Sequence, residues 1–485
     1  MNNGLKRKIF SGLFWKFGER ILAQGVSFVV SIVLSRILMP SDYGIVAIVW
    51  IFISIANVFV TSGFSTALVQ KKDANEVDFS TNFYCSVGMS FAVYAMMFFL
   101  APLIANFYKI PELNLIIRIF SLRVPLSAFS AIQHAYVERH MLFKRYFFST
   151  LFGTLLSGVV GILMAYKGFG VWALVTQYFT NTIVDILVLL ITVPWRPRWL
   201  FSMTSAKGMI SYGSKILLAD LSGTFFDQLR SLIIGKIYTS SDLAYYNKGN
   251  QLPNLITTNV TASVMTVLFP AISNINDDGE RVRTLTKKST ETMGYIIMPL
   301  LFGLACVSKP LVNILYTSKW EDAIPFIQLL SISSAIGLIG SISLQTIKAV
   351  GRSDIVLKLE FYKKPVYVLL LVIGAWISPL AVAVTMLTYT VYGTMVNAVQ
   401  LSKVIDYPIR EQVIDLGRPI VLCLIMSVVI FPITFLSINY FLMITIQVLA
   451  GIAIYLFLSI LTHNEAYIAI LNMVKEKRNV SKKTD

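Results

Sequence analysis

Six basic side chains fall inside stretches of sequence that are otherwise apolar: Lys16, Arg20, Arg118, Arg123, Lys215 and Arg230. An arginine presents a planar fork of donors that matches phosphate oxygens, and a lysine adds a compact charge. Cations gathered in apolar surroundings therefore suit an anionic cargo, with diphosphate as the natural candidate. Two carboxylates, Asp220 and Asp227, lie in the same kind of setting. They can hold the cations in place, pair with them across the chain, or carry a coupling proton or sodium ion, and the sequence leaves these three roles open.

The spacing of these residues is helical. Lys16, Arg20, Gln24, Ser27, Ser31 and Ser35 recur at steps of three or four, which puts them on one face of a helix. Asp220, Thr224, Asp227 and Ser231 repeat the arrangement about 200 residues later, with Lys215 and Arg230 on or near the same side. The following segments add Ser54, Asn57, Thr61 and Ser65, and in the later copy Asn247, Gln251, Asn254, Thr258 and Thr261. A cation near the centre of a bilayer costs roughly 2.5–3.5 kcal/mol, so four or five of them facing lipid would cost about 10–18 kcal/mol. That rivals the stability of an ordinary domain. The stripes are therefore expected to line a shared aqueous cavity, with Gln24, Asn57, Asn247, Gln251, Asn254 and Thr258 as its uncharged polar lining. Lys248, Lys363 and Lys364 are near helix ends and can snorkel to an interface instead.

The elements that must position these residues follow from composition. The chain has 485 residues, of which 56% are hydrophobic and 14% charged. That mixture cannot cover a water-soluble surface. Apolar runs of about 20 residues recur along the whole chain, each long enough to cross a hydrocarbon core about 30 Å thick. The spacing predicts about fourteen transmembrane helices, over 11–37, 42–69, 79–107, 113–137, 146–166, 169–193, 206–236, 242–273, 288–307, 322–350, 355–377, 379–403, 412–436 and 440–461. The first run follows Lys6, Arg7 and Lys8 without a convincing cleavage site, and is read as a retained helix. Pro125, Pro253, Pro299 and Pro325 fall within helical runs and permit kinks.

The formal charge of +16 would suggest nucleic acid in a soluble protein. Here the Lys and Arg residues concentrate in alternate loops and at both ends, as in the loop with Arg281, Arg283, Lys287 and Lys288. That bias places both termini in the cytoplasm and leaves nucleic acid without a role. These charges also meet anionic lipid headgroups. The repeat gives two parallel copies, and hence two pseudo-symmetric six-helix lobes around a central cavity, plus two C-terminal helices. The expected segments are a first lobe over 1–193, a cytoplasmic loop over 194–205 that acts as a hinge, a second lobe over 206–403, two helices over 404–462 and a basic tail over 463–485.

Several stretches resemble the MOP superfamily of exporters, and within it the polysaccharide or O-antigen repeat-unit flippases of the lipopolysaccharide and exopolysaccharide branch. They are Ser35-Arg36-Ile37-Leu38-Met39-Pro40-Ser41-Asp42-Tyr43-Gly44, then Gly63-Phe64-Ser65-Thr66-Ala67-Leu68-Val69-Gln70, the segment from Pro125 to Arg145, Gly168-Phe169-Gly170-Val171-Trp172 with Gln177, and Tyr245-Tyr246-Asn247-Lys248. The resemblance implies alternating access by two lobes in a bacterial cytoplasmic (inner) membrane. It implies an undecaprenyl-diphosphate-linked oligosaccharide as cargo, destined for surface polysaccharide, and polymerase or export machinery as partners. Physically, Pro40 blocks easy helix continuation, Ser41 or Asp42 can cap the next helix, and Gly44 permits close packing.

Other classes fit less well. An ion-coupled drug antiporter of the same superfamily should have an acidic or aromatic cavity, whereas this one leans basic. A membrane-embedded glycan polymerase or glycosyltransferase would need an extramembrane loop with paired carboxylates, and Asp277-Asp278 reads as a solvated turn. His134, His140 and His463 show no partners for a triad or metal site, and Cys85, Cys306 and Cys423 show no ligand spacing. No phosphate-binding glycine motif points to ATP, and no cofactor is expected. The repeat makes Arg20 and Asp220 equivalent, which suggests a pair. Exchanging the two residues is expected to restore transport lost in either single variant, and an exchange variant as inactive as the singles would contradict the pairing.

Overall fold

The computed structural model describes residues 3–61, 68, 74–469 and 471–472, with only the backbone at 3–14, 16, 17, 20, 61, 212, 263 and 265. Most of the 63–70 motif and the basic residues of the tail from 475 onward lie outside the described residues. Every regular element described is a helix. In chain order they are α1 (Asn3–Ile37), α2 (Pro40–Thr61), α3 (Glu76–Tyr108), α4 (Glu112–Ser121), α5 (Arg123–Arg139), α6 (Phe143–Tyr166), α7 (Val171–Thr192), α8 (Met203–Ile237), α9 (Ser240–Ser273), α10 (Gly279–Cys306), α11 (Ser308–Leu315), α12 (Ile324–Ala349), α13 (Ser353–Ile377), α14 (Pro379–Val404), α15 (Ile409–Ile430) and α16 (Tyr440–Leu461).

Among the described residues, eleven helices are long and apolar enough to cross a membrane, with α4 and α5 counting as one span. About fourteen were expected from the spacing. The three outside that set are α1, α8 and α13. Of α1, the described apolar part is Ile21–Ile37. Helix α8 carries Lys207, Lys215, Asp220, Asp227, Arg230 and Lys236, and α13 carries Asp354, Lys358, Glu360, Lys363 and Lys364. Charge, rather than length, separates these two helices from the rest.

Contacts divide the chain into two compact units, Met1–Ala244 and Tyr245–Asp485. The division falls one helix later than the loop at 194–205. In the first unit α6 packs along α7 and α1, α5 packs on α3 and α7, and α8 packs on α2 and α3. A cluster of Phe79, Phe83, Ile132, Ala135, Leu189, Val193 and Trp195 fills one end of it. The loop expected to be a hinge is fastened to α3 at several points: Tyr84 donates to the Arg198 carbonyl (3.1 Å), and Ser80 and Thr81 accept from the backbone N–H groups of Arg198 (3.1 Å) and Ser202 (3.0 Å). Buried Trp195 anchors it further.

In the second unit α12 packs on α14 and α10, and α13 on α14, repeating the first unit's pattern of α5 on α7 and α3 and α6 on α7. Helices α15 and α16 join this unit through α10. The Tyr455 hydroxyl donates to the Tyr295 carbonyl and the Tyr295 hydroxyl to Ser459, both at 2.9 Å, inside an otherwise apolar cluster.

Local rules account for the boundaries. Asn75 and Asp78 form a reciprocal capping box at the start of α3, and Lys109 ends that helix in the left-handed region with φ 57°. Leu122 breaks α4 from α5 three residues before Pro125, whose ring cannot donate to the Ser121 carbonyl. Pro325 sits in the first turn of α12, where proline is tolerated, so it caps rather than kinks. The α1–α2 turn is clamped by Asp42, which accepts from the Met39 N–H at 3.1 Å. Asp242 does the same for Thr239 at 3.0 Å in the α8–α9 turn.

These two turns touch. A Cβ on Gly44 would overlap the Ser240 backbone carbonyl, so only glycine fits there. Gly44→Ala is expected to destabilise the protein by about 1–3 kcal/mol, seen as a lower melting temperature of the detergent-purified chain. Gly88→Ala, with nothing within 4 Å of its added carbon, is the matched control and should melt no lower than wild type.

Candidate functional site

All six cationic candidates belong to the first unit, as do Asp220 and Asp227. Helix α8 presents most of the described ones. It has 35 residues, and Asp220 lies at its midpoint, seventeen residues from either end. Lys215, Asp220 and Asp227 are exposed on its surface, and Arg230 is half-buried. The helix buries its other side against α2 and α3, where Gly235 meets Ile48 and Tyr108. Near its end, Lys236 donates to the Phe107 carbonyl and lies over the Phe107 ring at 4.1 Å.

Arg123 and Arg118 are held by protein. Arg123 opens α5, directly after the break at Leu122, and points among aromatic rings. Its guanidinium lies 5.2 Å from the ring centres of Trp50 and Tyr178 and 5.8 Å from that of Phe120. Its Nε donates to Thr182 Oγ1 at 2.7 Å, while one terminal nitrogen is buried without a hydrogen-bond partner among the described residues. Cation–π contact offsets part of the cost of burying this charge. Arg118 lies back over Phe98 at 4.4 Å and donates to its carbonyl at 3.3 Å. Asn57 accepts from Ser127 at 3.4 Å, and Ser127 is one turn along α5 from Arg123.

The remaining candidates are more scattered. Gln24 is half-buried on α1, and the side chains of Lys16 and Arg20 lie outside the described residues. On α9, Asn247 and Gln251 are half-buried, whereas Asn254 and Thr258 are exposed, with Thr258 donating to the Asn254 carbonyl at 2.7 Å. Lys248, read from sequence as a snorkelling residue, is instead buried over Tyr316 at 4.2 Å and Trp320 at 5.3 Å.

One constellation escaped the sequence reading. His134 on α5 has a partner after all: its Nε2 is 2.9 Å from Asp185 Oδ2 on α7, and Ser149 on α6 donates to the other carboxylate oxygen. The three residues stand far apart in the chain, and helix packing alone joins them. An ionisable residue in the middle of the apolar run 171–192 was the available signal.

The comparisons agree with this architecture. A family described as "Polysaccharide biosynthesis protein" matches residues 33–325, more than half of the chain. The succinoglycan biosynthesis transport protein ExoT of Rhizobium meliloti is 25% identical over 341 residues, covering 70% of this chain and 69% of that one. The lipopolysaccharide biosynthesis protein WzxC of Escherichia coli is 24% identical over 436 residues, covering 87% and 86%. Among solved structures, the lipid II flippase MurJ in an inward closed conformation superposes with a TM-score of 0.73 at 17% identity, over 94% of this chain and 99% of that one. Two of these descriptions name movers of molecules rather than enzymes, a transport protein and a flippase. The chain is accordingly a multi-pass membrane protein that belongs to the polysaccharide biosynthesis protein family.

Proposed function

We propose that this protein flips a lipid-linked oligosaccharide, carried on undecaprenyl diphosphate, from the cytoplasmic to the outer leaflet of a bacterial cytoplasmic membrane by alternating access. The single observation that carries the reading is the charged surface of α8 in a chain of this family. At about 1.5 Å per residue the helix is about 52 Å long, so Asp220 falls near the middle of a hydrocarbon core about 30 Å thick. Lys215, Asp220 and Asp227 facing lipid would cost about 8–10 kcal/mol together. Water in a transport passage removes that cost. The same passage gives a hydrophilic glycan and its diphosphate a route past the acyl chains while the lipid tail stays among them.

In this reading Lys215 and Arg230 meet the diphosphate, with Lys16 and Arg20 as further contacts from α1. Asp220 and Asp227 set the local charge so that cargo is released as well as bound. Arg123, held among Trp50, Phe120 and Tyr178, acts by holding α2, α5 and α7 in place. Both termini lie in the cytoplasm, and a proton or sodium gradient supplies the driving force. The relatives' descriptions support the cargo class: one concerns succinoglycan transport and the other lipopolysaccharide biosynthesis.

Deleting the gene and probing lipid-linked glycans with a membrane-impermeant reagent tests the function directly. Intermediates should accumulate on the inner face and return outward on complementation, and glycans reaching the outer face at the normal rate without the protein would refute it. Within the site, a hydrogen bond to a charged group is worth about 1.5–3 kcal/mol. Arg230→Gln is therefore expected to slow translocation by about ten- to a hundredfold, with Arg230→Lys intermediate, as measured by the rate of glycan appearance outside.

A further inference from the structure

We propose that His134 and Asp185 form a proton-binding site inside the first helical bundle, and that loading and unloading it accompanies transport. The second clause rests on the flippase reading above; the first does not. Three helices bring the site to one level. His134 stands five residues before the end of α5, Asp185 seven before the end of α7, and Ser149 six after the start of α6. At about 1.5 Å per residue this is about 8–10 Å in from the helix ends. The side chains of His134 and Asp185 keep 27% and 19% of their exposure, which leaves a route for protons.

The hydrogen-bond pattern says where the proton goes. An ionised Asp185 only accepts, so Nε2 of His134 carries the hydrogen that faces it, and Nδ1 keeps a lone pair. Nδ1 is buried and has no hydrogen-bond partner among the described residues. A proton delivered by hydronium adds there: one N–H bond forms as one O–H bond of the hydronium breaks, leaving water, and the pair passes from one negative charge to none. Ser149 already satisfies the second carboxylate oxygen, so the carboxylate need not change partners. Net charge is costly at this depth, and the proton removes it. The Tyr146 ring on α6 stands edge-on to the imidazole, with ring centres 4.9 Å apart.

From α1, Glu19, and from α5 itself, Glu138, act electrostatically on Tyr146. Arg139 donates to the Leu68 carbonyl at 3.1 Å, and Lys144 lies over Trp15 at 5.6 Å. Arg145 stands beside Tyr146 in the chain, with one terminal nitrogen buried and without a hydrogen-bond partner among the described residues. On α3, Asp78 is engaged by Ser205 and the Asn75 N–H, and Tyr84 by the Arg198 carbonyl. The ionisable residues of α2 and α4 are Asp42 and Tyr43 near the start of α2 and Glu112 and Arg118 on α4.

The chain has three histidines, which makes a direct test practical. The full-length protein, with His140→Gln and His463→Gln and its remaining histidine labelled at ring carbon, is titrated by NMR in lipid nanodiscs. The His134 ring signal should respond to pH, and Asp185→Asn should shift that response. A signal that never moves, a midpoint indifferent to Asp185→Asn, or a shift produced by sodium at fixed pH would each overturn the proton site. In cells, His134→Gln and Asp185→Asn should each lose export, with the double variant no worse than the singles. Normal export in these variants would refute the coupling. If deleting the whole gene leaves glycan export intact, the flippase reading fails while the titration still decides the site.

Discussion

Hydrocarbon offers no hydrogen bonds, so every polar atom carried into a membrane must find its partner in the chain or in enclosed water. Much of the described structure follows from that constraint. Gln447 on α16 spends its amide on the Ile430 carbonyl and the Thr434 hydroxyl. Tyr295, Tyr455 and Ser459 satisfy one another within an apolar cluster. Arg123 takes three aromatic faces and a threonine in place of a counter-ion. The charges of Lys215, Asp220 and Asp227 on α8 differ from these in lying exposed on the helix surface. They are what a passage through the membrane would use.

The periodic features of the chain were legible from its residues. Long apolar runs gave the helices, and the repeated Asp42 and Asp242 turns gave the duplication, because local rules dictate both. Agreement failed where charge entered. Helices α1, α8 and α13 follow the expected spans, yet α8 and α13 carry too much charge to count among the candidate spans. The loop at 194–205 reads as a hinge because of its prolines and arginines; its hydrogen bonds to Ser80, Thr81 and Tyr84 are not visible in a linear reading.

Side-chain partners were least legible. Stripe geometry put Arg123 and Lys215 in one class, whereas packing separates them: one lies within aromatic rings and the other is exposed. Lys248 moved the same way, from an expected snorkelling position to burial over Tyr316 and Trp320. The pair His134 and Asp185 is 51 positions apart and becomes visible only when α5, α6 and α7 are assembled. Periodicity reports which face a residue occupies. It does not report what stands opposite.

The contact between Gly44 and Ser240 bears on how far the duplicated halves remain interchangeable. At the offset of the repeat, the counterpart of Gly44 is Ala244, and that of Ser240 is Pro40. A methyl group at 44 would collide with the neighbouring backbone, so the glycine is needed in one copy while the other has kept its alanine. The two copies are therefore unequal at this crossing. A chimera built from two copies of the second half would inherit alanine at both positions and could not close this seam, however well each half folded.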